Sequence, residues 1–273
     1  MTILALANQK GGVGKTTTAI NLGACLAARQ RQVLLVDMDP QANATAGLGL
    51  SAPAGRSIYQ VLIEGAAVEE VTLETMQPGL RLVPSASDLA GAEVELVPAM
   101  AREYRLRRAL ETARGAYDLV MIDCPPSLSL LTINALTAAE QVIVPVQCEY
   151  LPLEGLGQLI QTLDLVRRNL NQRLQLLGLL LTMFDGRTNL SQQVAQEVRS
   201  HFPNTFQAVI PRSVRLSEAP SHGLPISAYD PASRGGKAYE ALADEVLAVL
   251  GRRPTPASER PASPGASVGR RQR

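Results

Sequence analysis

Apolar residues along this chain gather in short runs instead of alternating with polar ones. Residues 2 to 8, Val33 to Val36, Leu80 to Pro84, Tyr117 to Ile122, 141 to 146 (QVIVPV) and Leu174 to Thr182 are such runs. Bounded by polar or turn residues, they read as strands buried on both faces, the pattern of a parallel sheet. Between them, apolar positions recur at helical spacing over 15 to about 29, Ile58 to Ile63, Ser85 to Val97, about 100 to 114, 128 to 139 and 153 to 170. A last helix carries Ala238, Leu242, Val246 and Val249, with Gly251 in the position of a C-terminal cap. Asn43 to Ser51 and Met183 to Thr188 read as loops. Strands alternating with helices predict an α/β fold: a mostly parallel, twisted sheet with helices on both faces.

Composition sharpens that picture. The chain has 273 residues, 3% aromatics and no Trp, so its core is expected from Leu, Val, Ile and Ala. Cys25, Cys124 and Cys148 show no metal-ligand or CxxC spacing and read as small buried thiols in a reducing compartment. The first strand starts directly after Met1, so neither a signal peptide nor an N-terminal winged-helix DNA-reading domain is expected. No apolar run approaches the ~20 residues that span a bilayer. Residues 1–251 are expected to form a single domain, and residues 252–273, rich in Pro, Ala, Ser, Gly and Arg, a disordered tail. The net charge of +1 hides an asymmetry, because six of the arginines and one acid, Glu259, lie in that tail. The rest is slightly acidic, so any polyanion binding there must come from a local patch. The five arginines of the 100 to 114 helix (102, 105, 107, 108 and 114) read as a solvated face.

The densest chemistry follows the first strand: Gln9-Lys10-Gly11-Gly12-Val13-Gly14-Lys15-Thr16-Thr17. Glycines without Cβ atoms let successive N–H groups curl around phosphate oxygens, Lys15 reaches the β- and γ-phosphates, and Thr16 can hold Mg²⁺. Gln9 stands where the general pattern has its first glycine, and Lys10 adds a second ammonium; Lys237 is the only other lysine in the chain. Two further runs end in acids. Val33 to Val36 emerges at Asp37-Met38-Asp39-Pro40-Gln41, and the run to Ile122 at Asp123-Cys124-Pro125-Pro126. Carboxylates at the C-terminal ends of parallel strands lie at the crevice where such sheets bind ligands. Asp123 has the Walker B arrangement, a carboxylate on Mg²⁺. For Asp37 and Asp39, strand-end acids serving only as a helix cap or turn are the alternative.

The double-lysine loop resembles the deviant Walker A motif of the ParA/MinD group of P-loop ATPases, and VDMDPQ at 36 to 41 and IPRSVRLSEAPS at 210 to 221 extend the resemblance over residues 1 to 251. It implies that Lys15 acts on its own chain's ATP while Lys10 crosses a dimer interface to the partner's. It further implies that Asp39 positions the attacking water, that Asp37 sits near Mg²⁺ and its waters, and that the adenine pocket draws on the loop from Met183 to Thr188 and on Ile210-Pro211-Arg212-Ser213, Pro211 and Ser213 above all. Arg187 and Arg215 match arginines that grip DNA backbone without reading bases; they could equally be ordinary surface charge, or pair with Asp185 and Glu218.

The chain is thus similar to short, Soj-type ParA partition ATPases. That implies an ATP-driven sandwich homodimer that binds double-stranded DNA non-specifically, is released by hydrolysis stimulated by a ParB-type centromere-binding protein, and works in the cytoplasm on the nucleoid. Two other readings stay open. A MinD-like membrane-cycling ATPase should end in an amphipathic helix with large apolar residues, and 252–273 has none larger than Val268 and proline. A nucleotide-gated scaffold would bind ATP with negligible turnover. An electron carrier of the nitrogenase-reductase kind needs a second bridging cysteine, which nothing here matches.

Overall fold

The computed structural model describes residues 1–149 and 153–251. The tail expectation, and the test of a MinD-like C-terminal helix, fall on residues 252–273 and lie outside the described residues. Among the described residues eight strands form one sheet: β1 (Thr2–Leu6), β2 (Val33–Asp37), β3 (Leu73–Glu74), β4 (Leu80–Val83), β5 (Leu119–Asp123), β6 (Gln141–Gln147), β7 (Gln175–Phe184) and β8 (Thr205–Pro211). Their order is β3-β4-β2-β5-β1-β6-β7-β8. Every neighbouring pair is parallel except the short edge hairpin of β3 on β4. The fold is therefore the α/β, mostly parallel P-loop arrangement the sequence predicts.

The unbroken apolar runs bury residues on both sides, as their composition requires. Ile3, Ala5, Leu34, Val36, Val120 and Ile122 face one apolar layer. That layer is closed by α5 (Arg105–Thr112), α6 (Leu130–Ala138) and α7 (Leu153–Asn169). Leu4, Leu6, Val33, Leu35 and Met121 face the opposite layer, closed by α1 (Lys15–Ala28) and α11 (Arg234–Gly251). Successive strand residues point to opposite faces, so each strand feeds both cores. The helix expected over about 100 to 114 is a 3₁₀ turn at Arg102–Tyr104 followed by α5, on which Leu106 and Leu110 are buried; Arg108 is exposed, but Arg105 and Arg107 are half-buried, so the solvated face is only partial.

Several elements depart from the sequence reading. The loop expected over Asn43 to Ser51 contains a short helix, α2 (Asn43–Gly47), started by Ala42 at φ +52. The helix expected at Ile58 to Ile63 is a π-turn at Gln60–Glu64, where the Gln60 side chain accepts from the N–H and hydroxyl of Ser57. The helix expected at Ser85 to Val97 contracts to α4 (Leu89–Glu95), preceded in the chain by the small α3 (Val68–Val71). Residues 189 to 209 received no assignment, yet they form α8 (Asn189–His201) and β8. The cause is polarity: α8 buries only Ser191, Val194, Ala195 and Val198, too narrow a stripe to stand out. Gly251 is the last residue of α11 itself and not a cap beyond it.

Past Pro211 the chain makes α9 (Val214–Glu218), a 3₁₀ turn at Ala219–His222 and α10 (Ile226–Tyr229) before α11. Of these, α10 packs on α1 and the 3₁₀ turn on α2. Among the described residues no helix is long and apolar enough to cross a membrane.

Gly178 on β7 lies so close to the β8 edge that an added Cβ would sit 2.6 Å from the Asn204 carbonyl oxygen and 2.7 Å from the Phe206 ring. Gly178→Ala is expected to cost about 1–3 kcal/mol by forcing these strands apart. Urea denaturation reads this as a lower midpoint; an unchanged midpoint would mean that β8 yields freely.

Candidate active site

At the C-terminal ends of β1, β2 and β5 the chain brings its glycine loop and its acids together. Gly12 and Gly14 hold φ of +74 and +88, a region that side chains with a Cβ avoid, and Gly14 starts α1. The loop is pinned from outside. Thr182 on β7 donates its hydroxyl to the Val13 carbonyl at 2.8 Å, and the Asn8 amide donates to Pro145 O at 2.7 Å. The Asn8 Oδ1 accepts from the Lys10 N–H at 3.0 Å.

The two lysines end up in different settings. Lys15 is buried, and its Nζ donates to the Lys10 carbonyl at 3.2 Å. Burial lowers its pKa, while the charges of Asp123, Cys124 and Asp39 pull it back up. Lys10 is exposed and does not line the phosphate side of the crevice; it borders a separate cleft beside Gln147 and Leu156.

The acids also divide. Asp37 and Asp123 stand opposite each other in the β2–β5 register, both fully buried. Asp37 Oδ2 accepts from the Thr45 N–H at 2.9 Å and hydroxyl at 2.8 Å, and its Oδ1 from the Asp39 N–H at 3.2 Å. Its oxygens are thus committed to α2 and the backbone, the cap-like alternative, and it does not line the crevice. Asp123 differs, since neither of its oxygens receives a hydrogen bond of good geometry. Burial raises its pKa well above the ordinary carboxylate value and the Asp37 charge adds to this, while the Thr16 hydroxyl and the Lys15 ammonium oppose it. Asp39 lines the crevice and anchors the turn by accepting from the Gln41 N–H at 3.0 Å.

The crevice, about 620 Å³, is lined by Gly11, Gly12, Gly14, Lys15, Thr16 and Thr17 on one side and Asp39, Gln41 and Asn43 on another. Gly14, Thr17, Met183 and Pro220 join it to a second cavity of about 220 Å³, which Pro211 and Ser213 line with Tyr239. Sequence reasoning missed Thr182 and Tyr239, whereas Met183 lies in the 183–188 loop that the resemblance placed at the adenine pocket. Met183 sits at φ +50, a left-handed conformation no residue pattern announces. Pro220, within the 210–221 stretch, reaches the crevice because the backbone returns to it.

The three cysteines are buried. Desolvation pushes the Cys25 and Cys148 thiols up to about 11 and Cys124 further still, so none has thiolate character near neutrality.

Arg187 and Arg215 are exposed and lie outside the crevice, each in contact with acids. Arg187 grips Asp185 through two bonds of 2.9 and 2.7 Å, which lowers that carboxyl to about 2. Arg215 donates to Glu218 at 3.0 Å and lies 3.4 Å from Asp230. The pairing with Asp185 and Glu218 weighed from sequence is therefore present.

A Mg²⁺ ion fits this donor set. A fully buried carboxylate without hydrogen bonds beside a threonine hydroxyl suits a cation that takes one or two protein ligands and completes its shell with water and phosphate oxygens. Among the described residues no cluster of three or more His, Cys, Asp or Glu could hold a metal alone.

The fold and this loop define a P-loop ATPase. Residues 1–176 match the model of a family described as an AAA domain. The sporulation initiation inhibitor protein Soj of Bacillus subtilis is 56% identical over 248 residues, which span 90% of this chain and 98% of Soj. The chromosome partitioning protein ParA of Caulobacter vibrioides is 53% identical over 249 residues, 90% of this chain and 93% of ParA. A solved structure described as cobyrinic acid a,c-diamide synthase from Mycobacterium smegmatis with bound ATP analogue and magnesium superposes with a TM-score of 0.80 at 40% identity, covering 92% of this chain and 96% of that one. The chain belongs to the Soj/ParA family of chromosome-partitioning ATPases.

An uncompensated buried carboxylate costs stability until a cation meets it. Asp123→Asn is therefore expected to raise the stability of the metal-free protein by about 0.5–2 kcal/mol while abolishing Mg²⁺-dependent ATP hydrolysis. Thermal melts in chelator, beside phosphate release, check both halves.

Proposed function

We propose that this chain is an ATP-driven switch for DNA partition, in which nucleotide state and dimer state control each other. The observation that carries the reading is the separation of the two lysines. Lys15 is buried and lines its own chain's crevice, while Lys10, five residues earlier in the same loop, is exposed and outside that crevice, available to a second copy.

In this reading residues 1–251 form one ATPase domain followed by a 252–273 tail. The amides of Gly11 to Gly14 with Lys15 and Thr17 hold the triphosphate, and Pro211 and Ser213 border the base. Thr16 and Asp123 hold Mg²⁺, which when bound neutralises charge on the β- and γ-phosphates. Asp37, with both oxygens engaged, acts from behind by fixing Asp39 and adding its charge next to Asp123. Asp39 orients the water that attacks the γ-phosphorus; the bond to the β–γ bridging oxygen breaks and ADP and phosphate leave. Lys10 from the partner stabilises charge on the transferring group, as a donor supplied in trans does in related reactions, for about 10³ to 10⁵ in rate. Buried Lys15 and the closed dimer exclude water, which strengthens each of these contacts.

The homodimer places two sets of Arg187 and Arg215 on duplex DNA without reading bases, and a ParB-type centromere-binding protein stimulates hydrolysis and release. The location that follows is cytoplasmic and nucleoid-associated. In the free chain the arginines are held by Asp185, Glu218 and Asp230, so phosphates must displace these acids. Such exposed pairs are worth little, and the exchange is open to competition.

Lys15→Ala is expected to lose nucleotide binding, whereas Lys10→Ala should bind ATP within about threefold of wild type yet remain monomeric and lose at least about 10³ in turnover. Sedimentation with ATP, ADP and a non-hydrolysable analogue, beside phosphate release, separates the two. An ATP-loaded Lys10→Ala dimer with normal turnover would remove the trans role.

Arg215→Ala should leave ATP-dependent dimerisation intact and weaken DNA retention, reducing the slope of log K against log salt by about 0.9 per lost phosphate contact. Asp39→Ala should hold a dimer on DNA. If DNA binding survives both Arg187→Ala and Arg215→Ala, the DNA surface lies elsewhere.

A further inference from the structure

Asn21 lies one turn beyond Thr17 on α1 and is 3% exposed, yet both ends of its side chain are bonded. Its Nδ2 donates to the Thr17 carbonyl at 2.7 Å, and its Oδ1 accepts the Ile226 N–H at 2.6 Å across 205 residues of sequence. Thr17 lines both the phosphate crevice and the adjoining cavity. Ile226 begins α10 and is fully buried. A single amide thus joins the first turn of the nucleotide helix to the segment from 214 to 230.

That segment leads on to Arg215. Tyr229, at the end of α10, donates its hydroxyl to Glu218 at 3.3 Å, and Glu218 accepts from Arg215. Asp230, the next residue, holds the Arg215 Nε. His222 stacks on the Tyr229 ring with centroids 4.9 Å apart, tying the 3₁₀ turn to α10. Pro220 and Ser221 at the near end of the segment border the crevice directly, so Asn21 fixes its far end. Burial makes this link costly to break, because an unpaired N–H at Ile226 would find no water.

We infer that Asn21 is a positioning residue that carries nucleotide state from α1 to α10, and so sets where the acids that hold Arg215 stand. ATP settling on Thr16 and Thr17 draws the first turn of α1 toward the phosphates. Asn21 moves with that turn and takes the Ile226 N–H with it, shifting Tyr229 and Asp230 relative to Arg215. The arginine then leaves its carboxylates for DNA phosphate. The last step rests on the DNA reading proposed above; the coupling between α1 and α10 does not.

The test is amide hydrogen exchange on the full chain, with and without a non-hydrolysable ATP analogue and Mg²⁺, beside retention of random-sequence duplex DNA. In the wild type the analogue should slow exchange at 226–229 by about tenfold, in addition to protecting 11–17. Asn21→Leu should bind the analogue with affinity within about twofold of wild type and keep protection at 11–17, but lose the response at 226–229 and retain DNA roughly tenfold less well. Asn21→Asp keeps an oxygen for Ile226 and loses the donation to Thr17. Exchange at 226–229 should then be slow whether or not nucleotide is present, which a merely structural tie would not produce. The inference is overturned if wild-type exchange at 226–229 ignores the analogue, or if either variant keeps the full nucleotide response. Should the wild type show the exchange response but retain no DNA, the DNA reading fails and the coupling stands.

Discussion

Charge held out of water at the end of the central strands governs this molecule. Asp123 is fully buried with no hydrogen bond of good geometry to either oxygen, Asp37 stands opposite it in the β2–β5 register, and the buried Lys15 feels the charges of Asp123 and Asp39. In such a place Coulombic terms are several times larger than in water, and nothing in the chain fully balances them. The imbalance is met when a cation and a polyanionic ligand arrive together. A site of this kind binds Mg²⁺ and nucleotide as one unit, and the fold carries the cost of keeping it ready.

Much of the surrounding structure serves to keep that imbalance in place. The two apolar layers clamp the sheet so that β1, β2 and β5 end level, and Thr182 and Asn8 pin the loop from neighbouring strands. Thr45 saturates Asp37 and thereby leaves Asp123 as the carboxylate with spare oxygens. Two acids that read alike on strand ends thus differ in what reaches them: Asp37 accepts from Thr45 and the Asp39 N–H, whereas Asp123 has no hydrogen bond of good geometry. Paired arginines show the converse arrangement at the surface. Arg187 and Arg215 are exposed and partnered by half-buried or exposed acids, in pairs that are worth little and exchange readily.

The parallel sheet was legible because strands covered on both faces must be apolar throughout, and few other structures impose that. The glycine loop was legible because Gly12 and Gly14 require backbone angles that other residues resist. The segments that escaped were those whose local pattern is weak: α8 with its narrow apolar stripe, the π-turn around Gln60, and α2, whose first turn is held through Thr45 by Asp37. Arg187 and Arg215 were found only by resemblance, and their acid partners were named as an alternative that proximity in sequence made reasonable.

Sequence alone determined the alternation of the central strands and their helices, the phosphate loop and the strand-end acids, because each is encoded by residues within about ten positions of one another. Tertiary structure decided which acid keeps oxygens without hydrogen bonds, which lysine is buried and lines the crevice, and that Thr182 and Tyr239 line the adjoining cavity. Those properties depend on groups brought together from distant parts of the chain, as when the Ile226 N–H meets Asn21 across 205 residues. No local pattern of polar and apolar residues carries that information, since burial and hydrogen-bond partnership exist only once the chain has closed on itself.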